Sequence, residues 1–125
     1  MKNFIFIIIA SLAFHCIAKG QSKFTRQNRE MLKDFFLYSC IRYGFPEIDM
    51  QKKDHSAAVY IDLLRYNLEA IHKTDSVAKA FIASIEPTPY ENRGTKGIII
   101  MSIEAYKSKK TDKFITSMEV YMMKE

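Results

Sequence analysis

The chain has 125 residues, of which 48% are hydrophobic and 26% charged, and its formal charge is +5. That length sets one domain with a modest core. Two cysteines, four glycines and three prolines are too few for a disulfide-stapled scaffold or a low-complexity linker.

Lys2 gives the N-terminus a positive charge, and Phe4 to Phe14 follow without another. This run has the length of a signal-peptide core and falls short of the ~20 residues a spanning helix needs. Cleavage after Gly20 places Ala18 at −3 and exposes Gln21; cleavage after Ala18 would place Cys16 at −3. The first removes Lys19 and leaves a polar start, so residues 1–20 read as a signal peptide and 21–125 as a single helical domain. No membrane span then remains. The leader carries Lys2 and Lys19 and no acid, so the balance falls from +5 to +3. Only Lys109, Lys110 and Lys113 lie close together, which reads as a solvated helix face and not a nucleic-acid site. Cys40 is left as the only mature thiol, either buried or free to pair between chains.

Met31, Leu32, Phe35, Phe36, Ser39 and Tyr43 recur at three-to-four spacing and predict a helix from about Arg26 to Tyr43. Thr25 is its expected N-cap, Arg29, Lys33 and Arg42 face away, and Gly44 followed by Pro46 stops it. Glu47 to Lys53 reads as a polar loop. A second helix opens near Asp54 or Ser56, with Ala57, Ile61, Leu64 and Leu68 on one face. Asn67 is a fresh N-cap, and Glu69 suits the first turn of a third helix. That helix carries Leu68, Ile71, Ala78, Phe81, Ile82 and Ile85 until Pro87 ends it. Pro87 to Gly97 is the longest irregular stretch after the leader. Ile98 to Tyr106 reads as a helix because Ile99, Ser102, Ile103 and Tyr106 share a face. Ser108 caps the last helix, which carries Phe114, Ile115, Met118, Tyr121 and Met122. The expected fold class is all-α, a compact bundle of about five helices after a cleaved signal peptide.

Catalytic residues are not visible, and neither a metal nor a cofactor is expected. Cys40 with His55 or His72 could be written as a dyad, but Cys40 lies inside an amphipathic helix with no helix N-terminus to activate it. His72 and Asp75, with Glu69 a turn before, lack further ligands at a metal spacing and read as a solvated face. Asp54 and His55 read as a helix start. The sequence contains no phosphate loop and no carboxylate pair. The methionines of the last helix read as core filler; a groove for a lipid or peptide ligand in a small envelope protein is the alternative. The Pro87 to Gly97 loop remains, with an aromatic residue, both signs of charge and stiffening prolines. Such a loop is either a surface connection or a recognition element.

Several short stretches together resemble one family. Tyr38, Ser39, Cys40 and Ile41 are similar to the first cysteine of its opening helix, and Ser56, Ala57 and Ala58 to its small-residue helix. Tyr66, Asn67, Leu68, Glu69 and Ala70 are similar to the turn between its second and third helices. Met101 to Tyr106 with Ser108, Lys109 and Asp112 are similar to its final block. The chain thus resembles, from about Phe36 to Phe114, the periplasmic immunity proteins that neutralise the fourth class of type VI secretion amidase effectors. The family commonly has a second cysteine where this chain has Ser102, and the two can bridge the first helix to a later one. The resemblance implies a non-enzymatic inhibitor, an all-helical homodimer in the periplasm. It would bind a papain-like amidase and keep it from the cell's own peptidoglycan. It also implies that the Pro87 to Gly97 loop enters the effector's groove, with Tyr90, Glu91, Asn92 and Arg93 as contact residues.

Overall fold

The computed structural model describes residues 2–88 and 95–124, with side chains from Lys23 onward. The elements in chain order are α1 (Lys2–Gly44), α2 (Met50–Lys53), α3 (Ser56–Leu63), α4 (Leu68–Ser84), α5 (Ile98–Lys107) and α6 (Lys109–Ser117). A 3₁₀ turn, Met118–Tyr121, closes the fold. It is an all-α bundle, and among the described residues the only bridge is an isolated one between Tyr66 and Met122.

Helix α1 is the post around which α4 and α5 pack. It does not begin at Thr25 as expected. With no proline between Lys2 and Gly44, nothing interrupts the helix, which runs through Thr25 without using it as a cap. The expected loop at 47–53 contains α2, a single turn capped by Asp49, whose side chain accepts from the Lys52 N–H. The break between α3 and α4 is real. The Asn67 side chain accepts from the Glu69 and Ala70 N–H groups, and the Arg65 N–H donates to Asn28 on α1 at 2.8 Å. Asp54 accepts from the Ser56 N–H and hydroxyl, and Ser108 caps α6 by accepting from the Thr111 N–H.

Two clusters form the core. Leu32, Phe35, Leu64, Tyr66, Ala70, Ile71, Ile115 and Met118 make one; Phe36, Cys40, Ala78, Ile82, Ile85 and Ile98 make the other. Four apolar assignments change. Ile61 and Leu68 are exposed, Leu68 by 66%, because α3 ends at Leu63 and the link to α4 turns Leu64 and Tyr66 inward instead. On α5 the inward residues are Ile98 and Ser102, so Ile99 and Ile103 face out. A contact that periodicity does not encode sets this rotation: Gly44 lies directly against Ile98. Tyr106 donates to Asp34 at 2.9 Å, so α5 runs antiparallel to α1. Cys40 and Ser102, each one turn from the Gly44–Ile98 contact, are both fully buried.

Burial alone pushes the Cys40 thiol up to about 12, from an ordinary value of 9.0. An alkylating reagent is expected to leave Cys40 unmodified in the folded chain and to label it fully in denaturant, as read by mass spectrometry. The native thiol stays protonated through a window above pH 9 where the unfolded thiol ionises. Stability therefore declines as pH rises through that window. Rapid labelling without denaturant would show that the thiol is accessible.

Candidate functional site

The four expected contact residues, Tyr90, Glu91, Asn92 and Arg93, lie outside the described residues. The structure does describe how their segment is rooted. The Thr88 N–H and hydroxyl both donate to the Thr95 carbonyl, at 3.0 and 2.9 Å. Ile85 on one side and Ile98 on the other are buried in the same cluster, with Phe36, Cys40 and Ile82. The two ends of the segment therefore leave the bundle from one place, cross-linked by hydrogen bonds and anchored by an isoleucine each.

Beside these roots α5 opens with an apolar turn and a half. Ile99, Ile100 and Ile103 are exposed by 47%, 62% and 40%. With Phe45, Lys96 and Lys107 they line a shallow depression of about 640 Å³. The sequence signal for this face is the unbroken Ile98–Ile100 run, which leaves no polar position in the first turn.

A second polar feature joins α1 to α4. Asp75 accepts hydrogen bonds from Ser39 Oγ at 2.9 Å, Arg42 Nη2 at 2.6 Å and Tyr43 OH at 2.5 Å. The Arg42 guanidinium also lies 4.4 Å from the centre of the Tyr43 ring. The expectation that Asp75 and Arg42 are solvated is therefore corrected: each side chain is about three-quarters buried. Lys33 does not face away either, since it bonds Asp112 at 2.6 Å and sits over the Tyr106 ring. His72 stays exposed. Three donors from α1 converge on this one carboxylate of α4, which ties the two helices together.

Catalytic candidates lose ground with the geometry in hand. Cys40 is packed among apolar side chains, while His55 and His72 lie at the surface. No group of three or more His, Cys, Asp or Glu suited to a metal occurs among the described residues. Met118 is buried in the cluster of Leu32, Phe35 and Ile71 and Met122 packs against it, while Met123 is exposed. Among the described residues no helix is long and apolar enough to cross a membrane.

No curated protein and no solved structure matches the chain. A family model, Tai4, described as "Type VI secretion system (T6SS), amidase immunity protein", matches residues 30–115. The matched span runs from within α1 into α6 and includes the whole Pro87 to Gly97 segment.

Proposed function

The chain belongs to the family of type VI secretion system amidase immunity proteins, and from that membership we propose that it inhibits a cell-wall-degrading amidase by filling its active-site groove. The Pro87 to Gly97 segment is the wedge, with Tyr90, Glu91, Asn92 and Arg93 touching the enzyme. The observation that carries this reading is the Thr88–Thr95 clamp with its two buried isoleucines. Binding a groove orders whatever enters it, and a segment whose ends are already fixed has less freedom to lose. An occluding wedge works by shape and a few polar contacts, so it needs no nucleophile, base or metal of its own.

Export belongs to the same proposal. Lys2 and the apolar run Phe4 to Phe14 support a signal peptide cleaved after Gly20. Cleavage would leave a periplasmic domain where an enzyme acting on peptidoglycan peptides must be met. A homodimer is part of the same proposal, and light scattering of the mature chain reads it directly.

The test uses the mature chain and the amidase encoded beside its gene, in a peptidoglycan digestion assay. Equimolar chain is expected to abolish digestion. Replacing Tyr90 and Arg93 together by alanine is expected to weaken binding about 30- to 1,000-fold, the range of an interface hot spot. The periplasmic fraction is expected to contain a chain beginning at Gln21. An amidase that stays fully active in the presence of excess chain would rule out the inhibitor.

A further inference from the structure

We infer that the outward face of α5, Ile99, Ile100 and Ile103 with Phe45 at its edge, is the second half of the amidase contact, and that it fits an apolar enzyme surface with an acidic rim. The inference rests on the inhibitor reading above.

Three observations lead to it. A specific protein interface takes about 20 residues or more from each side, and the Pro87 to Gly97 segment has eleven. The segment alone is thus too small, and the rest of the contact must lie beside its roots. The α5 face is what lies there. Gly97 opens the helix two residues after the Thr95 carbonyl that closes the clamp, and Lys96 and Gly97 line the same depression as the isoleucines. An enzyme that engages the segment therefore has this face next to the segment's roots.

The second observation is chemical. Ile99, Ile100 and Ile103 each leave 40–62% of their surface in water on one short helix, and a contiguous apolar patch of this kind marks a contact surface. Ile98 alone satisfies the core at this level, so the other three are not there to hold the fold.

Charge gives the third. Lys96 and Lys107 border the depression, and Lys109 and Lys110 follow on the exposed start of α6. Glu104 is the one acid among the lining residues, and Asp112 is already engaged by Lys33. An apolar centre with a lysine-rich border complements an apolar surface bordered by carboxylates, which would speed association and set its orientation.

The test measures binding of the mature chain to its amidase by calorimetry, alongside mass by light scattering and helicity by circular dichroism. Ile100→Asp is expected to keep the native helicity and mass and to bind at least a hundredfold more weakly. Ile100→Ser is a milder second variant, expected to lose about tenfold. Lys107→Glu is expected to slow association several-fold at low salt and much less at high salt. Val120→Asp, on the exposed C-terminal turn, serves as the control and is expected to bind normally.

If the native chain binds and both Ile100 variants bind equally well, the inference is overturned while the wedge stands. If the native chain does not bind at all, the inhibitor reading and the inference fall together. An Ile100→Asp variant that halves the mass without losing inhibition assigns the face to a second copy of this chain. One that only loses adsorption to anionic vesicles assigns it to a lipid surface. Either result overturns the inference.

Discussion

Replacing Asp75 by alanine is expected to cost about 3 kcal/mol of stability, because one carboxylate serves three donors and none of them has a substitute. Ser39 is fully buried and would keep a hydroxyl with no acceptor. Arg42 would keep a charge on a side chain about three-quarters removed from water, and its Nε already lacks a partner. Tyr43 would lose the hydrogen bond that fixes its ring beneath that guanidinium. A loss of this size lowers the thermal midpoint of a domain near 100 residues by roughly 10–20 °C. Asp75→Asn keeps an acceptor and loses the charge, so it should fall about halfway. Lys73→Ala, which removes the exposed pair with Glu69, should change nothing measurable. Thermal melts of the three variants separate the outcomes. If Asp75→Ala melts with the native chain, water already satisfies these groups and the cluster contributes no net stability.

Gly44→Ala is expected to be nearly as damaging, although it adds one methyl group. A Cβ at position 44 would stand 2.1 Å from Ile98 Cγ2 and 3.2 Å from Ile98 Cβ. Ile98 cannot swing aside easily, since it is branched at Cβ and buried among Phe36, Cys40, Ile82 and Ile85. The strain should cost about 2–3 kcal/mol. Because Ile98 is also a root of the candidate loop, the variant should lose inhibition at temperatures where it is still folded. Ile98→Ala on its own opens a cavity at about 2–5 kcal/mol. Combined with Gly44→Ala it provides room for the new methyl, so the double variant should be more stable than the two single costs predict. A double-mutant cycle with zero or opposite coupling would place the strain elsewhere.

These two sites mark where sequence reasoning succeeds and where it stops. The caps at Asn67 and Ser108 were legible because capping is local: an acceptor side chain lies two or three residues before the N–H groups it satisfies. The break before Leu68 and the helical state of Ile98 to Tyr106 were legible for similar reasons. Asp75 was misread because its partners lie 32 to 36 residues away, and from the sequence an acid beside a histidine on a helix looks solvated. Gly44 was read as a helix stop, which it is, but its contact with Ile98 has no sequence signal. That contact turns α5 so that Ile98 points in and Ile99 and Ile103 point out, the reverse of what spacing suggested. Thr25 has the chemistry of a cap, but the residues before it continue the helix and leave it no helix start to cap. For the candidate site, composition marked out the Pro87 to Gly97 segment, while the pairing of Thr88 with Thr95 emerged only from the fold.

That pairing has a consequence for how such a protein can diversify. The residues between Thr88 and Thr95 are closed off by bonds that involve only the backbone, one threonine hydroxyl and two isoleucines behind them. None of these depends on what the enclosed residues are. Doubling the length of a flexible loop adds only about 0.6 kcal/mol of closure cost. The enclosed residues could therefore be rewritten, or several more added, without disturbing α4, α5 or the core beneath them. A lineage could thus change the enclosed residues freely while the helical support stayed the same.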